Sequence, residues 1–266
     1  MSDQRKAPDA ESAAIVVDIG NTTTSIATWQ KGELKTPLNA PTPDRVAVAK
    51  AVEAHAAALP GRRPRAVVVG SVVPEALQHF AEYIGRTFDQ NALIVGETIG
   101  LPIEVQVKDA KALGADRACA AAAAYDKLQA GCTIVDFGSA TTVDLVDDQG
   151  VLLGGAILPG ASMQLAALNE HTAALPRVQA GFPASPYGRD TEEAMQIGVC
   201  RGLAGAVRGL VESYASHLNR WPQVVATGGD LALLAPHCDF LDTLVEHLTL
   251  RGVGLALTIH LEGMGA

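Results

Sequence analysis

Two short stretches of this chain share one grammar. Ile15-Val-Val-Asp18-Ile-Gly20-Asn21-Thr22-Thr-Thr24 and Thr133-Ile-Val-Asp136-Phe-Gly138-Ser139-Ala-Thr141-Thr142 each pass from an apolar, β-branched run through Asp-x-Gly into a cluster of small hydroxyl residues. That order predicts a strand, a tight turn and a second strand, with glycine letting the turn close and letting backbone N–H groups approach an anion. An aspartate at the end of the first strand can hold a water, a cation, or the metal that accompanies a phosphate. One such turn is common among hairpins, but a pair, one in each half of the chain, predicts a duplicated α/β architecture gripping a polyphosphate from two sides.

The surrounding segments fit strands alternating with helices. Residues 14–30 read as a hairpin, and Lys31-Gly32 turns into a further strand. Pro37 to Pro43 reads as a loop, residues 44–58 as a helix, Ala66 to Val73 as a buried strand, and Pro74 to Arg86 as a helix. In the second half, residues 134–135, 143–146 and 151–153 read as a meander, with Gly154 to Gly160 leading into a helix near Ser162 to Asn169. A long helix is expected from Thr191 to Asn219, then a strand ending on Gly228-Gly229-Asp230 with a helix directly after it. The expected organisation is a polar extension over residues 1–12, a first domain over 13–114 and a second over 115–266, the last helix packing back on the first domain.

Composition removes several functions. A net charge of −9 argues against a nucleic-acid surface. No apolar run reaches the ~18 residues that cross a bilayer. Cys119, Cys132, Cys200 and Cys238 form no Cys-x-x-Cys pair and read as buried thiols in a reducing cytoplasm. The histidines have no zinc-ligand spacing.

Three further segments can carry chemistry. Gly114-Ala-Asp116-Arg117 opens an alanine-rich helix. Asp116 reads as an N-cap, and equally as a carboxylate able to take the proton of an attacking hydroxyl, with Arg117 able to clasp a substrate carboxylate in bidentate fashion. Gly188-Arg-Asp190-Thr191-Glu-Glu193 starts the long helix, with Asp190 and Glu193 as a capping pair. Gly228-Gly229 lies between a strand and a helix, where a nucleoside can approach the backbone. Asp144 and Asp147 read as turn and surface residues, and Lys108 and Lys111 as a solvated face.

Taken together and in order, these pieces resemble the type III pantothenate kinases of the actin-like ATPase, sugar kinase and Hsp70 superfamily. The resemblance rests on Asp18-Ile-Gly-Asn-Thr22, Gly70-Ser-Val-Val-Pro74, Gly114-Ala-Asp-Arg117, Asp136-Phe-Gly-Ser-Ala-Thr-Thr-Val-Asp144, Gly154-Gly-Ala-Ile-Leu-Pro-Gly160, Gly188-Arg-Asp-Thr-Glu192 and Thr227-Gly-Gly229. It implies two actin-like (ribonuclease H-like) domains, each a mixed sheet flanked by helices, with a cleft between them. It further implies a cytoplasmic homodimer that transfers phosphate from ATP to pantothenate in coenzyme A synthesis, using Mg²⁺ with the nucleotide and a monovalent cation, K⁺ or NH₄⁺. By position, Asp116 resembles the general base, while Arg117, Gly114 and Thr191 resemble the pantothenate binders, Thr191 acting from the neighbouring subunit. Asp18, Gly20, Asn21 and Thr22 resemble the first phosphate turn, with Asp18 managing the Mg–phosphate geometry. Gly138, Ser139, Thr141 and Thr142 resemble the second, with Asp136 as monovalent-cation ligand, and Gly228 and Gly229 would border adenine. A non-catalytic transcription accessory factor, or another small-molecule kinase of the superfamily, is the alternative.

Overall fold

A computed structural model describes residues 13–264; the N-terminal extension expected over residues 1–12 lies outside them. Within the described residues the chain divides into two compact units: residues 13–103, 109–123 and 247–264 form one, residues 104–108 and 124–246 the other.

The elements follow in chain order. Strands β1 (Ala14–Ile19), β2 (Thr23–Gln30) and β3 (Glu33–Pro41) lead into helix α1 (Arg45–Ala57), then β4 (Val67–Ser71), α2 (Pro74–Phe88), β5 (Leu93–Ile94), β6 (Glu104–Val105) and α3 (Ala115–Leu128). The second series is β7 (Cys132–Phe137), β8 (Ala140–Val146), β9 (Val151–Pro159), α4 (Ala161–Glu170), α5 (Thr191–Leu218), β10 (Gln223–Thr227), α6 (Leu231–Leu234), β11 (Thr243–Leu244) and α7 (Leu248–Met264).

The two sheets repeat one topology. The first has the order β3-β2-β1-β4-β5, and the second contains β9-β8-β7-β10-β11 with β6 added beyond β9. In each, a three-strand antiparallel meander is followed by strands parallel to its first member. Asp18 lies opposite Gly70 and Asp136 opposite Thr227, so the two aspartates hold equivalent places. These are two mixed sheets with helical cover, the actin-like α/β class.

In the first unit both faces of β1 are covered, which is why its sequence is an unbroken apolar run rather than an alternation. Ile15, Val17 and Ile19 pack with residues of α1 and α2, including Val52, Phe80 and Ile84. Ala14 and Val16 pack with Cys119 of α3 and with Leu250, Val253 and Leu257 of α7. The alanines of α3 permit close helix contact, and a side chain at Gly252 would lie 1.9 Å from the Cys119 carbonyl oxygen. In the second unit Val135, Phe137 and Val143 pack beneath Leu165, Val199, Leu203 and Leu234.

Three expectations are corrected. The Pro37–Pro43 stretch is mostly strand, since β3 continues to Pro41. Proline is tolerated on this edge strand, and a register shift beside Thr36, whose φ is +47°, accommodates Pro37. The segment after Leu153 is also strand, because β9 pairs with β8 as far as Pro159. Asp144 is neither a turn nor a surface residue: it lies mid-strand in β8 opposite Ile134 and is 1% exposed.

Candidate active site

In the first unit the chain turns sharply after Ile19. The Gly20 N–H donates to the Thr23 carbonyl (3.1 Å), and the Thr42 hydroxyl donates to the Gly20 carbonyl (2.8 Å). Thr24 and Thr42 share a hydroxyl hydrogen bond of 2.9 Å, and the Thr42 N–H reaches the Thr22 carbonyl. The turn is therefore pinned from beneath while Asn21 and Thr22 stay exposed and Asp18 half-buried. Thr42 escaped the sequence analysis because it lies in the proline-rich stretch read as loop.

Helix α3 brings Asp116 to the same unit. Helix hydrogen bonding starts at the Gly114 carbonyl, which accepts from the Ala118 N–H, so Asp116 stands inside the first turn and is not the N-cap. Its Oδ1 accepts the Arg117 N–H at 2.7 Å and folds back over Gly114, where an added Cβ would lie 2.4 Å from it. A larger residue at position 114 would displace the carboxylate. Val72, just beyond β4, lies 3.3 Å from the same point. Burial raises the Asp116 pKa above the ordinary 3.8, with the Arg117 N–H and guanidinium opposing the shift. The Cys119 thiol on the same helix is pushed well up by burial and then by the charges of Asp18 and Asp116. The first unit thus assembles Asp18, its turn, Asp116 and Arg117.

In the second unit the Asp136 turn and the Gly-Gly turn are built as one piece. Gly228 has φ +108°, and a Cβ there would meet the Phe137 backbone at 2.4 Å, so only glycine fits. The Asp230 N–H donates to the Phe137 carbonyl at 2.9 Å. On the other side the Gly160 N–H donates to the Ser139 carbonyl at 3.0 Å. Ser139 and Gly229 are exposed, and Gly138, Asp136 and Gly228 are half-buried. Thr141 and Thr142 part company. Thr142 pairs with Asp136 on one sheet face, whereas Thr141 pairs with Phe137 on the core face and is fully buried, its hydroxyl lacking a partner among the described residues.

Asp144 shares the face of Asp136 and Thr142 by strand alternation. Gly155 of β9 opposes it, and a Cβ there would meet its Oδ1 at 2.3 Å. Its signal in the sequence was an acid at an inward position of an otherwise apolar strand.

Thr191 opens α5 and is exposed. The Asp190 carboxylate caps the helix by accepting the Glu193 N–H at 2.8 Å, and Glu193 returns to the Arg189 N–H at 2.9 Å. This reciprocal pair is the capping arrangement expected there. Beside it opens a cavity of about 770 Å³ whose lining includes Leu168, Leu175, Arg189, Thr191, Met195 and Gly198.

Comparisons with known proteins bear on the fold and the family. Among solved structures, a protein of Campylobacter jejuni assigned to the Baf family of transcriptional activators superposes with a TM-score of 0.61 at 19% identity, covering 95% of this chain and all of that one. The activator of 2-hydroxyisocaproyl-CoA dehydratase from Clostridium difficile, solved with bound ADPNP, gives 0.56 at 14%, covering 95% and 96%. These likenesses concern the fold. Sequence relatives are closer. The type III pantothenate kinase of Anaeromyxobacter sp. strain K is 33% identical over 90% of this chain and 96% of its own, and that of Rhodospirillum rubrum is 34% identical over 92% and 97%. The family model for type III pantothenate kinase matches residues 14–213. With both phosphate-type turns and the Gly-Ala-Asp-Arg segment inside that match, the chain belongs to the type III pantothenate kinase family.

Proposed function

We infer that the protein transfers the γ-phosphoryl group of ATP to the hydroxyl of pantothenate, giving 4′-phosphopantothenate for coenzyme A synthesis. The observation that carries this is Asp116: a carboxylate raised in pKa by burial, held over Gly114, with Asp18 and Arg117 in the same unit. Asp116 accepts the hydroxyl proton as the oxygen attacks phosphorus, ADP leaves, and Arg117 fixes the acceptor through its carboxylate. Asp18 to Thr22 in the first unit and Gly138 to Thr142 in the second are the two phosphate-type turns. Of the latter, Ser139 is the exposed hydroxyl. Gly228 and Gly229 border the nucleoside.

Carboxylate and hydroxyl oxygens of this kind suit hard cations. Mg²⁺ bound with ATP would be met by Asp18 and would neutralise charge on the transferring group. K⁺ or NH₄⁺ would be held by Asp136 beside the second turn. The working form is a homodimer in the cytoplasm, where the four buried, unpaired thiols stay reduced. Support for a second copy comes from α5. Gly198, Gly202, Gly205 and Gly209 recur every three or four residues on one helical stripe shared with Thr191, and nothing lies within 4 Å of where their side chains would be. Glycine weakens a helix by up to ~1 kcal/mol per residue relative to alanine, so a flat stripe is explained by a backbone packing on it.

A coupled ADP-release assay tests the activity. ADP should appear only with pantothenate and should rise when K⁺ is added. Release that ignores pantothenate and answers to another alcohol would overturn the substrate, and a monomer in sedimentation would overturn the assembly.

A further inference from the structure

Thr42 follows the last residue of β3 and is buried against the Asp18–Thr22 turn. Its hydroxyl donates to the Gly20 carbonyl at 2.8 Å, and its N–H donates to the Thr22 carbonyl at 2.9 Å. A hydroxyl has one proton, so in its 2.9 Å bond with the Thr24 hydroxyl Thr42 is the acceptor. The result is a relay in which Thr24 orients Thr42 and Thr42 holds Gly20. A trans peptide is planar, with its C=O and N–H pointing opposite ways. Drawing the Gly20 and Thr22 carbonyls toward Thr42 therefore aims the N–H groups of Asn21 and Thr23 away from it, on one side of the turn. Backbone N–H groups converging in this way make an anion site.

The second unit shows what the fold requires without such a relay. Thr141 holds the place of Thr24, each paired with the last residue of the preceding strand, Phe137 and Ile19 respectively. Gly160 holds the place of Thr42, each directly after the proline that ends the third strand of its meander. Gly160 keeps the backbone half of the contact, donating its N–H to the Ser139 carbonyl. It has no side chain, and a Cβ there would stand 2.3 Å from the Gly138 oxygen. The Thr141 hydroxyl accordingly has no partner among the described residues. A turn of this kind closes on the backbone contact alone, so the hydroxyl relay in the first unit is an addition that the fold does not demand.

We propose that Thr42 is a positioning residue for phosphoryl transfer, its hydroxyl fixing through Gly20 the orientation in which the Asp18–Thr22 turn meets the phosphates of ATP. This deepens the activity proposed above and rests on that turn holding phosphate.

The test is steady-state kinetics and thermal unfolding of four variants beside wild type. Thr42→Val keeps the shape and the backbone bond but not the hydroxyl. Its kcat/KM for ATP should fall ~10- to 100-fold, with KM for pantothenate unchanged. Thr42→Ser returns the hydroxyl and should recover most of that loss. Thr24→Val removes a buried hydroxyl from the same relay but leaves the Thr42–Gly20 bond, so it should lower the melting temperature while kcat/KM for ATP stays near wild type. Wild-type kcat/KM in Thr42→Val, no recovery in Thr42→Ser, or an equal loss in Thr24→Val overturns the proposal. Thr42→Ala carries the same expectation should Thr42→Val not fold. Asp18→Asn separates the two failures. If it slows transfer and Thr42→Val does not, the positioning role alone falls; if neither slows transfer, the phosphate reading of the turn falls with it.

Discussion

Gly252→Ala is a one-methyl change on α7, and the structure gives its sign. In an unconstrained helix, alanine for glycine gains up to ~1 kcal/mol. Here the new Cβ would stand 1.9 Å from the Cys119 oxygen, 2.3 Å from its carbonyl carbon and 2.6 Å from its Cα. Ordinary contact begins near 3.4 Å, so α7 and α3 would have to part by about 1.5 Å. The obstructing atoms are backbone, so no rotamer change relieves them, and overpacking of this kind costs ~1–3 kcal/mol or more. Net destabilisation of ~2 kcal/mol should lower the melting temperature by ~4–8 °C. Since Cys119 lies one turn beyond Asp116 on α3, turnover should also fall, by as much as ~10²-fold for a 1 Å misplacement. Gly85→Ala in α2, with nothing within 4 Å of the new carbon, is the control and should stabilise by ~0.5–1 kcal/mol. Thermal unfolding and steady-state kinetics of both variants read the outcome. A Gly252→Ala chain as stable and active as wild type would refute the packing argument.

Arg117→Ala should raise KM for pantothenate ~10- to 100-fold while leaving KM for ATP in place. An analogue of pantothenate with an alcohol for the carboxylate should be discriminated against by wild type and not by the variant, and discrimination that survives would remove the clasp. His55 is buried between α1 and β2, with Nδ1 3.0 Å from the Thr28 hydroxyl, and burial lowers its pKa. The unfolded chain therefore takes up this proton first, so stability is full above ~6.5 and declines as pH falls toward the lower folded value. Urea unfolding from pH 7 to 5 should show that slope, and His55→Gln should flatten it; identical slopes would dismiss His55 as its source. Asp116 must be ionised to act as a base, so turnover should fall on the acid side with a midpoint above the ordinary 3.8, and a pH–rate profile flat through that region would contradict its role.

Much of this was legible in the chain because the information is local. The Asp-x-Gly turns, the Gly-Gly turn and the capping pair at Asp190 are each written in a few consecutive residues, and the matching sheet orders show the same plan twice. What escaped depended on partners distant in sequence. Pro37 and Pro41 mark a loop by composition, but an edge position beside β2 makes strand possible. Thr42 is an ordinary threonine until the chain returns it to the carbonyl of Gly20. Asp144 resembled a turn acid because Asp147 and Gly150 follow it, whereas its burial is set by the pairing of β8 between β7 and β9. Whether Asp116 capped α3 turned on one hydrogen bond, Ala118 to Gly114, which no local pattern fixes.

The claim on which the mechanism stands is that Asp116 removes the acceptor's proton. Single-turnover phosphoryl transfer by Asp116→Asn, with ATP and pantothenate both saturating, tests it most directly. Nucleotide affinity should be retained while the chemical step slows by ~10²–10⁴. Transfer at close to the wild-type rate would show that another group, or none, performs that task.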